Sequence, residues 1–273
     1  MRISDKVFVV TGAGNGMGRE VTLLLLKLGA SGVAAVDISE NGLEETANQA
    51  GELANKLSTH VVDITDRAAV ETLPDAVIEA HERVDGLINN AGVIQPFVRF
   101  SELDYPDIER VMKVNFWGMI YMTKTFLPLL SQRPEGHIVN MSSMGGFLPV
   151  PGQTIYGASK AAVKLFTEGL YAELLPTNIH VTVVFPGAIA TNIAENSGID
   201  MAMEASSDGQ NIRMTSPDTA AEIILTGIEQ NAYQVFVGQD SRTMNLFYRL
   251  APQRAVKMIY NQMKSLLANI STN

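Results

Sequence analysis

The sequence predicts an α/β fold in which a doubly wound parallel sheet of about seven strands is covered by helices on both faces. Short runs rich in β-branched residues alternate with longer stretches of helical periodicity along most of the 273 residues. A glycine-rich turn follows the first apolar run, and later runs end in polar residues at the sheet edge where such folds bind ligands. Right-handed crossovers between the strands give the doubly wound arrangement.

Each element follows from its own periodicity. The apolar runs predict strands at Val7–Thr11, Val33–Asp37, His60–Asp63, Gly86–Asn89, His137–Met141, His180–Phe185 and Gln234–Val237. Between them, apolar residues recur every three or four positions and predict helices at Gly16–Leu28, Asn41–Leu57, Ala68–Arg83, Tyr105–Leu130, Tyr156–Leu175 and Asp218–Asn231.

Two segments depart from the alternation. Residues 188–215 are rich in Ser, Gly, Met and Asn, and a long irregular insert of this kind is typical of a substrate lid. We expect this lid to belong to one domain, residues 1–238, with residues 239–273 as a helical extension packed on it. The extension predicts two amphipathic helices separated by Ala251-Pro252. Its role stays open between packing over the domain or a subunit interface and a membrane-surface contact or a cap on the substrate pocket.

The composition excludes several functional classes. The net charge of −9 and the pI near 5.0 argue against a nucleic-acid partner and against contact with an anionic membrane. The absence of cysteine excludes disulfides and a Cys nucleophile, and the four histidines lack metal-ligand spacing, so no metal is expected. The first residues enter a strand without a signal peptide, and no apolar stretch is long enough to span a membrane. We therefore expect a cytoplasmic protein.

Three residues suggest a proton-transfer site. Tyr156 and Lys160 are four positions apart on a predicted helix, so they share one face, and Ser143 ends the strand before it. A free tyrosine has a pKa of ~10. A Lys ammonium about 5 Å away, at an effective dielectric of about 20, favours the phenolate by roughly 3 kcal/mol. We expect Tyr156 to exchange a proton near working pH while Ser143 holds the reacting oxygen.

The beginning of the chain predicts a dinucleotide site. The turn TGAGNGMG (Thr11–Gly18) leads from a strand into a helix, whose N-terminus attracts a pyrophosphate. Asp37 ends the second strand, where a carboxylate binds ribose hydroxyls and repels a 2′-phosphate, so NAD is favoured over NADP. No Lys or Arg occupies positions 13–17 or 38–40. Further candidates follow the third and fourth strands: Asp63, Ile64, Asn90, Ala91 and Gly92.

In this order, the motifs resemble those of the short-chain dehydrogenase/reductase superfamily, whose members have a Rossmann fold. The resemblance covers about Lys6 to Gly238. It is carried by TGAGNGMG, Asp63, NNAG (Asn89–Gly92), Asn115, Ser143 with Tyr156-x-x-x-Lys160, and Pro186-Gly187 followed by Thr191. The chain departs from the family at Met17, where members often have Ile or Leu, and in the tail from Gln239 onward.

The resemblance implies roles for the matching residues. Tyr156 is the general acid/base, Ser143 orients the substrate oxygen, and Lys160 lowers the Tyr pKa and binds the nicotinamide ribose. Asn115 supports a water-mediated proton relay to Lys160, although a satisfied core Asn is the plainer interpretation. The implied cofactor-binding residues are Gly12, Asn15, Gly16, Met17, Gly18, Asp37, Ile38, Asp63, Ile64, Asn90, Ala91, Gly92, Tyr156, Lys160, Pro186, Gly187, Ile189 and Thr191. Family members usually form dimers or tetramers, here through Tyr105–Leu130 and Tyr156–Leu175.

The residues expected around the substrate are mostly apolar. They are Ser143, Met144, Gly145, Phe147, Leu148, Val150, Gln153, Ile193, Met201 and Met203. This set favours an NAD-dependent enzyme that interconverts a secondary alcohol and a ketone on a mainly hydrophobic substrate. One alternative is a 3-oxoacyl reductase acting on carrier-bound chains, a class that usually goes with NADP and a basic docking surface. Another is a non-catalytic protein that senses NAD/NADH.

Overall fold

All seven strands pair in one parallel sheet, so the predicted fold class is confirmed. The computed structural model describes residues 1–191, 193–197 and 214–270. The strand order is β3-β2-β1-β4-β5-β6-β7, and the order reverses between β1 and β4. Ligands bind such sheets at this switch point, beyond the carboxyl ends of the strands. The strands are β1 (Val7–Thr11), β2 (Gly32–Asp37), β3 (Leu57–Val61), β4 (Gly86–Asn89), β5 (Gly136–Met141), β6 (Ile179–Pro186) and β7 (Gln234–Val237).

Helices cover both faces of the sheet. They are α1 (Gly16–Lys27), α2 (Glu40–Ala50), α3 (Arg67–His81), α4 (Tyr105–Met112), α5 (Met119–Ser131), α6 (Thr154–Leu174), α7 (Ile193–Asn196), α8 (Pro217–Glu229), α9 (Gln239–Leu250) and α10 (Pro252–Ile270). One core lies under α1 and α8, where Leu25 and Ile224 are fully buried. The other lies under α3 and α5, where Val77 and Phe126 are fully buried. Within the described residues, no helix is both long and apolar enough to cross a membrane.

The predicted boundaries of α2 and β3 are wrong. Helix α2 ends at Ala50 because Gly51 has a φ of +56°, and a 3₁₀ turn then runs to Lys56. The strand begins at Leu57, opposite Val33, and ends at Val61. As the edge strand of the sheet, β3 is buried only in part, so no continuous apolar run marks its start.

The predicted helix Tyr105–Leu130 is not continuous. A π-helical turn, Lys113–Gly118, separates α4 from α5. Such turns insert one residue into the helical register and occur frequently at functional sites. Asn115 lies in this turn, and its side chain is buried.

Candidate active site

The turn between β1 and α1 brings two backbone segments into close contact. Gly12 has a φ of +67°, and a Cβ there would lie 2.9 Å from the Ala91 Cα. A Cβ at Gly18 would overlap the carbonyl oxygen of Gly12. The sequence therefore needs glycine at both positions for α1 to begin directly above the turn.

Side chains from neighbouring strands hold this turn in place. The Thr11 hydroxyl accepts hydrogen bonds from the backbone N–H groups of Asn90 (3.0 Å) and Ala91 (3.1 Å). The Asn90 amide donates back to the carbonyl oxygens of Thr11 (3.1 Å) and Gly12 (3.3 Å). Asn90, predicted to contact a cofactor, therefore uses its side chain to support the glycine turn.

A cleft of about 870 Å³ opens in front of the turn, at the switch point of the sheet. Most of the predicted cofactor residues line it: Gly12, Asn15, Gly16, Met17, Asp37, Ile38, Asp63, Ile64, Asn90, Ala91, Gly92 and Thr191. Gly18, Pro186, Gly187 and Ile189 do not line it, and neither do the four predicted catalytic residues. Three basic side chains that the sequence analysis did not propose also line the cleft: Arg19, Arg110 and Lys113.

The β2 end of the cleft is rich in negative charge. One Asp37 oxygen accepts from Gly14 N (2.9 Å), and the other accepts from Ser39 N (2.9 Å). Arg19 reaches the same end, but its guanidinium pairs with Glu45 at 2.7 Å. The sequence prediction considered positions 13–17 and 38–40 and therefore did not include Arg19. The pairing leaves little positive charge there for a phosphate.

Ser143 and Tyr156 meet beyond the end of β5. The Ser143 hydroxyl accepts from Gly145 N (3.0 Å) and lies close enough to the buried Tyr156 phenol to lower its pKa. A Cβ at Gly145 would lie 3.4 Å from the Tyr156 ring and 3.5 Å from Ser143 Oγ, so both side chains adjoin the same small space beside Gly145. The adjacent Ser142 is buried and donates instead to the carbonyl oxygen of Lys160 (2.7 Å). Ser143 is therefore the hydroxyl beside the phenol, while Ser142 holds α6.

The expected lowering of the Tyr156 pKa by Lys160 is not found. Burial raises the pKa of Tyr156, and the hydrogen bond from Ser143 opposes this effect. Burial also lowers the pKa of Lys160 to about 8. The Lys160 ammonium donates to Met141 O (2.9 Å) and lies 6.0 Å from the centroid of the Tyr156 ring. In this structure, burial of the phenol therefore outweighs the neighbouring cation.

Asn115 is a satisfied buried amide. Its Nδ2 donates to Val93 O (2.9 Å) and to the Ser159 hydroxyl (3.0 Å), and its Oδ1 accepts from Val93 N (2.8 Å). A Cβ at Gly92 would lie 3.2 Å from Asn115 Oδ1 and 3.1 Å from Lys160 Nζ. The absence of a side chain at Gly92 thus keeps the space between these two groups open. The proton relay through Asn115 stays a prediction.

Gln95 is the supporting residue that the sequence analysis missed. It is fully buried, and its Oε1 accepts from Ile155 N (2.8 Å) and Tyr156 N (3.0 Å) in the first turn of α6. Its Nε2 donates to Gly152 O (3.0 Å). Gln95 therefore satisfies N–H groups at the helix N-terminus that carries the phenol. Sixty positions separate it from Ile155, and no local motif signals such a contact.

The predicted substrate residues separate into two groups. Ser143 and Gly145 lie beside the phenol, whereas Gln153 is buried and donates to Gln95 O (2.8 Å). Leu148 is fully buried, so it does not face an open pocket as expected. It packs, together with Met144 and Phe147, against the tail residues Met244, Phe247, Tyr248, Ala255, Met258, Ile259 and Met263. Of the lid candidates, Ile193 lines the cofactor cleft, and Met201 and Met203 lie outside the described residues.

The tail also holds the loop after β6. The Asp240 carboxylate accepts from Ala188 N (2.9 Å), and the Ser241 hydroxyl donates to Phe185 O (2.8 Å). A Cβ at Gly187 would overlap this carboxylate, so glycine is needed there for the close approach. Both loops that flank the site are therefore packed against the tail.

Comparisons with known proteins identify the family of the chain. The family model described as short chain dehydrogenase matches residues 6–202. A Mycobacterium tuberculosis protein named as an oxidoreductase, SadH, is 36% identical over 251 residues, which cover 90% of each chain. A 3-oxoacyl-[acyl-carrier-protein] reductase from Thermotoga maritima is 36% identical over 227 residues, 82% of this chain and 91% of the relative.

A solved structure shows the same fold with a nicotinamide cofactor. A short chain dehydrogenase from Burkholderia cenocepacia, in complex with NADP, has a TM-score of 0.79 and 26% sequence identity. The match covers 95% of this chain and 99% of the other. A nicotinamide cofactor is thus supported for this chain.

Proposed function

Since the chain belongs to the short chain dehydrogenase family of oxidoreductases, we propose that it uses NAD to interconvert a secondary alcohol and a ketone on a mainly hydrophobic substrate. The observation that carries the proposal is the position of Ser143 beside the buried Tyr156 phenol, with the buried Lys160 next to the phenol ring. A pure binding module requires no such pair.

The residues of the cleft fit a dinucleotide. The glycines that line the cleft, Gly12, Gly14 and Gly16, place no side chain between the backbone and a pyrophosphate, and the α1 N-terminus favours its charge. The Asp37 carboxylate lines the β2 end of the cleft and would repel a 2′-phosphate on an adenosine ribose bound there. NAD is therefore proposed, although the Burkholderia cenocepacia protein binds NADP.

The reaction needs one proton transfer between the substrate and this chain. When bound, the nicotinamide takes the hydride from the alcohol carbon or returns it to the ketone. In oxidation, the Tyr156 phenolate takes the hydroxyl proton; in reduction, the phenol donates it to the ketone oxygen. Ser143 donates a hydrogen bond to the substrate oxygen and holds it next to the phenol. Lys160 would hold the nicotinamide ribose when the cofactor is bound.

The surroundings of the pair support an apolar substrate. Met144 and Phe147 follow Ser143 closely in the chain and are only partly buried, and Met adapts its shape to different ligands. We also propose a homo-oligomer, because α4–α6 and the turn between them expose large apolar side chains, among them Trp117 and Leu165. The domain division and the cytoplasmic location stay predictions.

An NADH absorbance assay tests the proposal. Purified protein, NAD and a panel of apolar alcohols should give NADH, and Tyr156→Phe should abolish turnover while NADH still binds. A panel in which small sugars or polyols outperform every apolar alcohol rejects the hydrophobic substrate. Binding without turnover on any panel favours a sensor of NAD/NADH instead.

A 3-oxoacyl reductase is the second candidate, and the Thermotoga maritima relative favours it. The acidic net charge of −9 opposes docking of an acidic carrier protein. Reduction of a carrier-bound 3-oxoacyl chain at rates above those for free ketones would favour this candidate over the first.

A further inference from the structure

The tail consists of α9 and α10, and each helix has an inner face toward the domain and an exposed outer face. Their inner faces pack against Met144, Phe147 and Leu148. The outer residues recur at helical spacing and are exposed, and no described part of the chain covers them. This outer tail face consists of Arg242, Leu246, Arg249 and Leu250 on α9 with Arg254, Val256, Lys257, Tyr260 and Lys264 on α10.

The outer tail face is positively charged in an acidic protein. Residues 239–273 contain five basic residues and one acidic residue, a net charge of +4, whereas the whole chain carries −9. The one acidic residue, Asp240, turns inward and binds Ala188 N. Among the described tail residues, the outer face therefore presents cations without a carboxylate between them.

Large apolar side chains lie among these cations. Leu246 is 61% exposed, Leu250 is 76% exposed and Tyr260 is 52% exposed. On α9 the order is Arg242, Leu246, Arg249, Leu250, so cationic and apolar side chains share one stripe. Helices of this pattern lie in the plane of a bilayer interface, with apolar side chains among the acyl chains and cations at the headgroups.

We propose that the outer tail face binds the surface of an anionic lipid bilayer. A second copy is a poorer occupant, because a two-fold contact places the same patch on both sides and would set cations against cations. A nucleic acid is also poorer, since the rest of the chain repels a polyanion and a phosphate backbone offers nothing to the exposed leucines. The net charge of the whole chain argues against an anionic membrane, but the tail by itself carries a net charge of +4.

Binding there would place the lipid across α9 and α10 from Met144–Leu148, the segment that follows Ser143. The same helices hold Met144–Leu148 on their inner faces and fix Ala188 through Asp240. The proposed membrane contact depends only on the exposure and charge of the outer tail face, so it does not depend on the proposed reaction.

Vesicle flotation with the full chain tests the proposal without turnover. The protein should float with phosphatidylcholine vesicles that contain phosphatidylglycerol, and not with pure phosphatidylcholine vesicles. Added salt should weaken binding because it screens exposed charges. Arg249→Gln with Lys257→Gln should weaken binding about fivefold for each cation removed. Leu246→Ser with Leu250→Ser should weaken it by about tenfold or more.

The matched control is Lys27→Gln with Leu28→Ser, which removes an exposed cation and an exposed leucine outside the tail. This variant should bind vesicles as the wild type does. Absence of flotation with anionic vesicles, or equal flotation of the tail variants and the control, overturns the proposal. Sedimentation in which the wild type self-associates and Leu246→Ser with Leu250→Ser does not would show a contact between copies and overturn it as well.

Discussion

The two halves of the sheet hold their functional groups in different ways. Around β1 and β2, the cleft wall is mainly backbone, supported by the short side chains of Thr11 and Asn90. Around β5 and β6, residues distant in the sequence hold the backbone of the segments that form the site. Gln95 binds the N-terminus of α6 across sixty positions, and Asp240 binds Ala188 across fifty-two. We infer that the residues around β1 and β2 determine which cofactor binds, and that the residues around β5 and β6 transfer the proton.

Tyr156→Phe should have the largest effect, and it should reduce turnover without changing cofactor binding. Tyr156→Phe removes the proton donor and acceptor, so turnover should fall by about 10³-fold. The dissociation constant for NADH, measured by fluorescence titration, should change little, because the cleft is lined by other residues. Turnover near the wild-type value would show that Tyr156 does not exchange the proton.

Next, Asp37→Ala should change the choice of cofactor without changing the chemistry. Removing this carboxylate takes away a like-charge penalty, so the kcat/KM ratio of NADP to NAD should rise by about tenfold or more. Affinity for both cofactors should fall, because Gly14 N and Ser39 N lose their acceptor. The control is Glu44→Ala, which removes an exposed carboxylate of α2 that does not line the cleft. An unchanged ratio in Asp37→Ala would remove the argument for NAD.

Gln95→Leu tests whether Gln95 supports the N-terminus of α6, which carries Tyr156. It leaves Ile155 N, Tyr156 N and Gly152 O without their partner, so the free energy of unfolding should fall by about 1–3 kcal/mol. We also expect kcat to fall about tenfold, with NADH affinity nearly unchanged. Gln95→Glu keeps an acceptor oxygen at the helix N-terminus and should recover part of the stability. Equal denaturation midpoints for wild type and Gln95→Leu would contradict this role.

A smaller effect distinguishes the two adjacent serines. The Ser143 hydrogen bond lowers the pKa of Tyr156, so Ser143→Ala should raise it. The pH of half-maximal alcohol oxidation should therefore move upward. Ser142→Ala removes only the bond to Lys160 O, so it should lower stability and leave that pH unchanged. The same shift in both variants would show that the effect is structural.

The comparison of the halves also explains what the sequence could predict. The positions of β1, β4 and β7 and the glycine turn follow from local rules: apolar runs, and turns that require glycine. The start of β3 was missed because an edge strand lacks a fully apolar pattern, and the π-helical turn was missed because its residues keep helical periodicity. Gln95 and Asp240 were missed for another reason. Their contacts depend on how distant segments pack, which no local spacing encodes.

The pKa of Tyr156 shows the same limit. The i, i+4 spacing places Lys160 on the same face as the phenol, but it does not tell how deeply either group is buried. Burial reverses the expected direction for Tyr156 and lowers the pKa of Lys160 to about 8.

A crystal structure with NAD and a product ketone tests the central claim most directly. The account predicts that Tyr156 Oη and Ser143 Oγ both lie about 3 Å from the ketone oxygen, with Lys160 Nζ at the nicotinamide ribose. A Tyr156 oxygen far from both Lys160 and the nicotinamide ring in the loaded enzyme would contradict the mechanism and leave only the dinucleotide-binding fold.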